Sequence, residues 1–206
     1  MIGKKAPFFK APAVLDGKNI IENFSSENFL GKKEAILFFY PKDFTYVCPT
    51  ELHALQNSLY EFQKREVEII ACSTDTVETH LAWLNTPKEK GGISGVTYPL
   101  VADHTKTISI NYGVLAGDWV GDENGKIDFC GEGVSYRATF FIDKEGFIRN
   151  FFINDFPLGR SVEELIRVID MWHHNQKLGD VCPANWKLGS KSIKPNRESV
   201  SEYLNN

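Results

Sequence analysis

The feature that limits the fold most is the run AILFFY at 35–40, followed by a helical stripe and then by VEIIACS at 67–73. Both runs are continuously apolar rather than alternating, which fits strands buried on both faces with helices packed above and below. Between them, ELHALQNSLYEFQK (51–64) sets Leu52, Leu55, Leu59 and Phe62 at i, i+3, i+7 and i+10, one face of a helix. Strand, helix, strand in that order predicts a βαβ unit.

Two more apolar runs, ATFFID (138–143) and FIRNFFI (147–153), flank DKEGF, whose Gly146 signals a hairpin. A helix is predicted over 76–89 from Val77, Leu81 and Leu84. Another starts at SVEELIRVIDMW (161–172), where Ser161 and Glu164 have capping-box spacing and Val162, Leu165, Ile169 and Trp172 form the apolar stripe. After Gly179 the period fades into the polar, turn-rich GDVCPANWKLGSKSIKPN. The expected organisation is a mixed α/β domain over 1–175, carrying a hairpin-like insertion at about 116–132, with a C-terminal arm over 176–206.

Composition narrows the functional classes. With 42% hydrophobic residues and 15 phenylalanines among 206, the chain has material for a real core and does not read as disordered. A net charge of −4 argues against a nucleic-acid partner, which would call for a basic face. No apolar run approaches the roughly 18 residues that a membrane span needs, and MIGKKAPFFKAPAVL lacks the apolar segment of a signal peptide. A cytoplasmic protein without membrane partners is expected. There, the cysteines at 48, 72, 130 and 182 are not expected in structural disulfides. None are spaced C-x-x-C, and His173 and His174 are adjacent, so neither a metal site nor another cofactor is expected.

Cys48 stands at a strand–helix joint, in FYPKDFTYVCPTEL. Pro49 suits the first helical positions, and a helix N-terminus favours thiolate over thiol. Thr45, three residues earlier, can set a hydroxyl beside the sulfur. The residues alone leave two readings open, an inert buried cysteine and an activated nucleophile.

The pattern Pro41, Thr45, Cys48 (P-x-x-x-T-x-x-C) resembles the active-site signature of the peroxiredoxins. The resemblance extends through GKKAPFF, STDTVETHLAW, YPLVAD, SYRATFFID, NDFPLGRSVEE and VCPANWKLGSKSIKP, as in typical two-cysteine peroxiredoxins. It implies a thioredoxin-like fold and a peroxidase reaction without cofactor or metal. Cys48 would be the peroxidatic cysteine, Thr45 would hydrogen-bond the peroxide, and Pro41 would shield the pocket. Arg137 would supply a fixed cation beside the sulfur, with Glu51 and Arg160 orienting it. Cys182 would be the resolving cysteine, coming from the partner subunit of a homodimer, with five dimers forming a decamer. Thioredoxin or a flavoprotein disulfide reductase would recycle the disulfide. The alternative implied by the same resemblance is a holdase chaperone or redox-signalling adaptor. Cys72 and Trp83 read as packing residues, and Tyr203 as an anchor of the tail.

The chain also departs from the resemblance. Leu115 and Gly133 are separated by AGDWVGDENGKIDFCGE, where a short turn is usual; its ENGK turn, flanked by apolar residues, predicts a protruding hairpin carrying Cys130. The stretch GGISG (91–95) and the pair Tyr203-Leu204 stand where peroxide-sensitive relatives carry G-G-L-G and Y-F. Intermediate resistance to overoxidation of Cys48 is expected.

Overall fold

The computed structural model describes residues 1–205. The chain forms two compact units, one over Met1–Arg160 and one from Ser161 onward. The first contains, in chain order, β1 (Lys10–Leu15), β2 (Asn19–Ser25), β3 (Glu34–Phe39), α1 (Cys48–Asn57), α2 (Leu59–Gln63), β4 (Val67–Ser73) and α3 (Val77–Leu84). There follow β5 (Leu100–Ala102), α4 (Thr107–Asn111), β6 (Asp118–Gly121), β7 (Ile127–Cys130), β8 (Arg137–Ile142) and β9 (Ile148–Asn154).

Seven strands make one mixed sheet in the order β2-β1-β5-β4-β3-β8-β9. β3 runs parallel to β4 from Glu34 opposite Val67 to Phe39 opposite Cys72, so α1 and α2 form the crossover of the predicted βαβ unit. β8 returns antiparallel to β3, and β9 follows it through the turn at Gly146, whose φ of 82° suits glycine. Every residue of β3 and of β8 is buried. The apolar cluster joins Leu37, Phe39, Ile70, Val101, Tyr112 and Phe140. The sheet is the mixed, helix-flanked one that the apolar runs predict. β9 departs from two-sided burial: it lies at the sheet edge, and of its residues only Ile148 is buried.

The helix predicted over 51–64 is two helices. The chain breaks at Ser58 (φ −98°, ψ 6°), whose N–H is shared between the carbonyls of Ala54 and Leu55. α1 also begins four residues before the apolar stripe does, because Cys48 and Pro49 carry no periodic signal. The helix predicted over 76–89 stops at Leu84, and one 3-10 turn follows at Lys88–Lys90. Pro87 explains the stop, since the residue before a proline is pushed out of helical geometry. β1, β2, β5 and α4 are short or half-exposed and gave no clear period.

Residues 118–130 form a two-stranded antiparallel ribbon, with Trp119 opposite Phe129 and Gly121 opposite Ile127. Trp119 and Ile127 are exposed. The ribbon leaves the domain through a constriction: a Cβ on Gly131 would lie 2.4 Å from Gly117 Cα, and both glycines have positive φ (136° and 130°).

In the second unit, α5 (Val162–Leu178) is capped by Ser161, whose Oγ accepts from the Glu164 N–H at 3.2 Å. The other half of the capping box is not made, because the Glu164 carboxylate pairs with Arg167 at 2.6 and 2.7 Å. α5 ends on Gly179 in the left-handed region (φ 73°). The arm then closes on itself through a main-chain bridge between Val181 and Ile193. Trp186, 2% exposed, donates from Nε1 to the Ser190 carbonyl at 3.1 Å. A final helix, α6 (Arg197–Leu204), capped by Asn196 at the Ser199 N–H, follows the polar, turn-rich stretch.

Candidate active site

Cys48 is the first residue of α1 and Pro49 the second; the cap position, Val47, makes no side-chain cap bond. The sulfur is fully buried. Arg137, at the start of β8, donates from Nη1 to Cys48 Sγ at 3.3 Å and to Glu51 Oε2 at 2.6 Å. Its Nε donates to the Phe156 carbonyl at 2.6 Å, which fixes the plane of the guanidinium.

Glu51, one turn into α1 and 3% exposed, also holds Arg160. Oε1 accepts from the Arg160 backbone N–H at 3.1 Å and from its Nε at 2.8 Å. The rest of that guanidinium is saturated by the Ala138 carbonyl at 3.1 Å, Thr139 Oγ1 at 3.0 Å and the Phe39 carbonyl at 2.8 Å. Arg160 therefore ties the ends of β3 and β8 to α1. Of the residues singled out in the sequence, Cys48, Glu51, Arg137 and Arg160 meet in this one buried cluster.

Thr45 does not set its hydroxyl proton towards the sulfur. Its Oγ1 donates to the Lys42 carbonyl at 2.9 Å, which leaves its lone pairs as acceptors. Pro41 is buried at the start of the same loop. Trp83 is fully buried and donates to the Gly91 carbonyl at 2.9 Å, consistent with packing.

A polar network missed by sequence reading holds the loop from Tyr40 to Val47. Tyr40 donates to Asp43 Oδ1 at 2.8 Å, and His80 Nδ1 lies 2.7 Å from Asp43 Oδ2. Asp75 accepts from the Asp43 N–H at 2.8 Å and from Ser73 Oγ at 2.9 Å. Burial, reinforced by the Asp43 charge, pushes the Tyr40 phenol far above its ordinary value, so it stays a donor. Burial and the same Asp43 charge also raise the Asp75 carboxyl. These groups have no periodic signature, and only the acidic–aromatic density of YPKDF hinted at them.

All four cysteines are free thiols. Cys72 is fully buried, and desolvation pushes its thiol well up, whereas Cys130 is exposed on β7. Cys182, in the second unit, points its Sγ towards the Met171 carbonyl at 3.8 Å. Its thiol is raised, chiefly by burial, against the opposing charge of Arg167. Among the described residues no group of three His, Cys, Asp or Glu side chains is arranged to hold a metal, and no helix is long and apolar enough to cross a membrane.

The AhpC/TSA family profile matches residues 2–151, and that of the C-terminal domain of 1-Cys peroxiredoxin matches 171–206. Alkyl hydroperoxide reductase C of Helicobacter pylori is 45% identical over 204 residues, covering 99% of this chain and 96% of that protein. Peroxiredoxin-2 of mouse is 43% identical over 203 residues, covering 98% and 94%. Among solved structures, the reduced 2-Cys peroxiredoxin of Plasmodium vivax superposes with a TM-score of 0.88 at 43% identity, covering 100% of this chain and 98% of that one.

Proposed function

The chain belongs to the AhpC/TSA family of peroxiredoxins and is a thiol-dependent peroxidase, and from that premise we propose that Cys48 attacks the peroxide and Cys182 resolves the product. The observation that carries the assignment is Arg137 Nη1 at 3.3 Å from a fully buried Cys48 Sγ. Two guanidinium groups face one carboxylate in this cluster, so a Cys48 thiolate brings it to neutrality. The thiolate attacks one peroxide oxygen, the O–O bond breaks, Cys48 becomes a sulfenic acid, and the departing alkoxide or hydroxide takes a proton from solvent. Arg137 supplies fixed positive charge where the leaving oxygen gains negative charge. Thr45 Oγ1, having spent its proton on Lys42, accepts the peroxide O–H, and Pro41 keeps water from the sulfur.

In the second step the Cys182 thiol of a partner subunit condenses with the sulfenic acid, releasing water and forming a disulfide. An external dithiol, from thioredoxin or a flavoprotein disulfide reductase, then returns both thiols by exchange. On this reading the protein is a cytoplasmic homodimer, assembled as a decamer, with a peroxidase domain over 1–175 and a resolving arm over 176–206. Neither the family match nor the site favours the holdase alternative.

A non-reducing gel after one equivalent of peroxide tests the scheme. A covalent dimer is expected from the parent protein and from neither Cys48→Ser nor Cys182→Ser. Cys182→Ser should still consume one equivalent of peroxide. Undiminished turnover in Cys48→Ser would overturn the assignment.

A further inference from the structure

The disulfide step assigned above imposes a movement. Cys48 is fully buried, and two sulfurs join only when their Cβ atoms approach within about 4.5 Å. The start of α1 must therefore leave its seat before Cys48 meets a thiol of another chain.

Apart from the Arg137–Glu51–Arg160 cluster, three side-chain contacts fasten α1 to residues 91–98. Tyr98 Oη donates to the Leu52 carbonyl at 2.8 Å. His53 Nε2 lies 3.0 Å from the Gly92 carbonyl. Gln56 Oε1 accepts from the Thr97 N–H at 3.0 Å. Tyr98 is itself buried core, and Gln56 sits in the last turn of α1. His53, half-buried in the middle turn, is the contact a substitution can remove without opening the core.

A tie resists motion only if its anchor is rigid, and this anchor is. A Cβ on Gly92 would lie 1.9 Å from the Thr86 carbonyl oxygen, so the loop is packed against the end of α3. Trp83 Nε1 donates to the Gly91 carbonyl at 2.9 Å, and the Ile93 N–H bonds the Trp83 carbonyl at 3.2 Å. Ile93 itself is fully buried.

We propose that His53 is a positioning residue that sets how readily the first turns of α1 unwind, a rapid opening that precedes the sulfur–sulfur step, and thereby how the Cys48 sulfenic acid divides between disulfide and sulfinic acid. The proposal rests on the roles given to Cys48 and Cys182. While α1 stays seated, the sulfenic acid can meet a second hydroperoxide, which oxidises it to the sulfinic acid and leaves as the alcohol or water. When α1 unwinds, the sulfenic acid is lost to the disulfide instead.

His53→Ala and His53→Gln, compared with the parent by stopped flow, separate peroxide attack from disulfide formation. His53→Ala should leave the attack phase unchanged and accelerate the disulfide phase about fivefold, the factor carried by one hydrogen bond of ordinary net worth. The peroxide concentration giving half-sulfinic Cys48 should rise by a similar factor. His53→Gln, whose amide nitrogen can donate to the same carbonyl, should return both values towards the parent. An unchanged disulfide phase in His53→Ala, or equal changes in both phases, overturns the proposal. Hydrogen exchange at the α1 amides of the reduced protein reads the same opening without peroxide, and about fivefold faster exchange is expected. Unchanged exchange overturns the role of His53 whatever the peroxidase assays show. Absence of the attack phase in the parent protein would instead strike at Cys48.

Discussion

Arg137 and Cys48, 89 positions apart in the chain, meet at 3.3 Å with both side chains buried. Everything around the pair holds the guanidinium still: Glu51 takes the same Nη1 at 2.6 Å and the Phe156 carbonyl takes Nε at 2.6 Å. A lysine has neither the second nitrogen nor the fork to repeat this. Arg137→Lys and Arg137→Gln are each expected to lower the second-order rate constant for peroxide about 10²-fold, the scale for loss of one preorganised donor. Stopped-flow fluorescence checks it; a loss under fivefold in both variants contradicts the role.

Glu51 separates two cations. The Arg137 and Arg160 side chains are each 4% exposed, and removing the carboxylate leaves them buried without the one charge that pairs with both. Glu51→Ala should lose about 3–5 kcal/mol of stability in urea titration. Glu51→Gln keeps an acceptor oxygen and should lose less; equal losses would show that charge is not the cause.

The resolving step should depend on pH. Burial raises the Cys182 thiol, partly opposed by Arg167, so its thiolate is scarcer at neutral pH than that of an ordinary cysteine near 8.5. Raising the pH populates the thiolate, and disulfide formation after a peroxide pulse should still be accelerating at about pH 9. Quenched-flow gels across the range read this; a plateau near the ordinary thiol value would show attack from a detached arm.

The remaining thiols should differ sharply in labelling. Cys130 is exposed, whereas Cys72 is fully buried with its thiol pushed up. Iodoacetamide on the folded, reduced protein should modify Cys130 within minutes and spare Cys72, as peptide mass spectrometry will show. Cys130→Ser should leave peroxide turnover within about twofold of the parent, because surface changes away from a site usually perturb little.

Legibility in the sequence followed burial. β3, β4 and β8 are covered on both faces, so their apolar runs stood out; of the predicted stripe Leu52, Leu55 and Phe62 are fully buried, while Leu59, just past the break at Ser58, is only half-buried. β9 misled because an edge strand rich in phenylalanine has the composition of a central one. The break at Ser58 left no trace, since the apolar stripe continues across it. In the site, local spacing put Cys48 at a helix start but left its role open, and Arg137, Glu51 and Arg160 were readable only through family resemblance. Their partners include main-chain carbonyls of Phe39, Ala138 and Phe156, which no side-chain pattern encodes. His53 was overlooked because it sits beside the apolar stripe and grips a backbone atom.

The constriction at the foot of the 118–130 ribbon bears on ancestry and engineering alike. Below the ribbon the chain has already closed: Gly133 N–H bonds the Ala116 carbonyl at 3.0 Å, and Ala116 N–H bonds the Val134 carbonyl at 2.8 Å. A descendant could lose the whole ribbon, or exchange it for another sequence, without re-threading a single strand of the central sheet. The same closure makes Ala116 and Gly133 a docking port at which a reporter or affinity module can be spliced into the chain, its two ends held together by the protein itself.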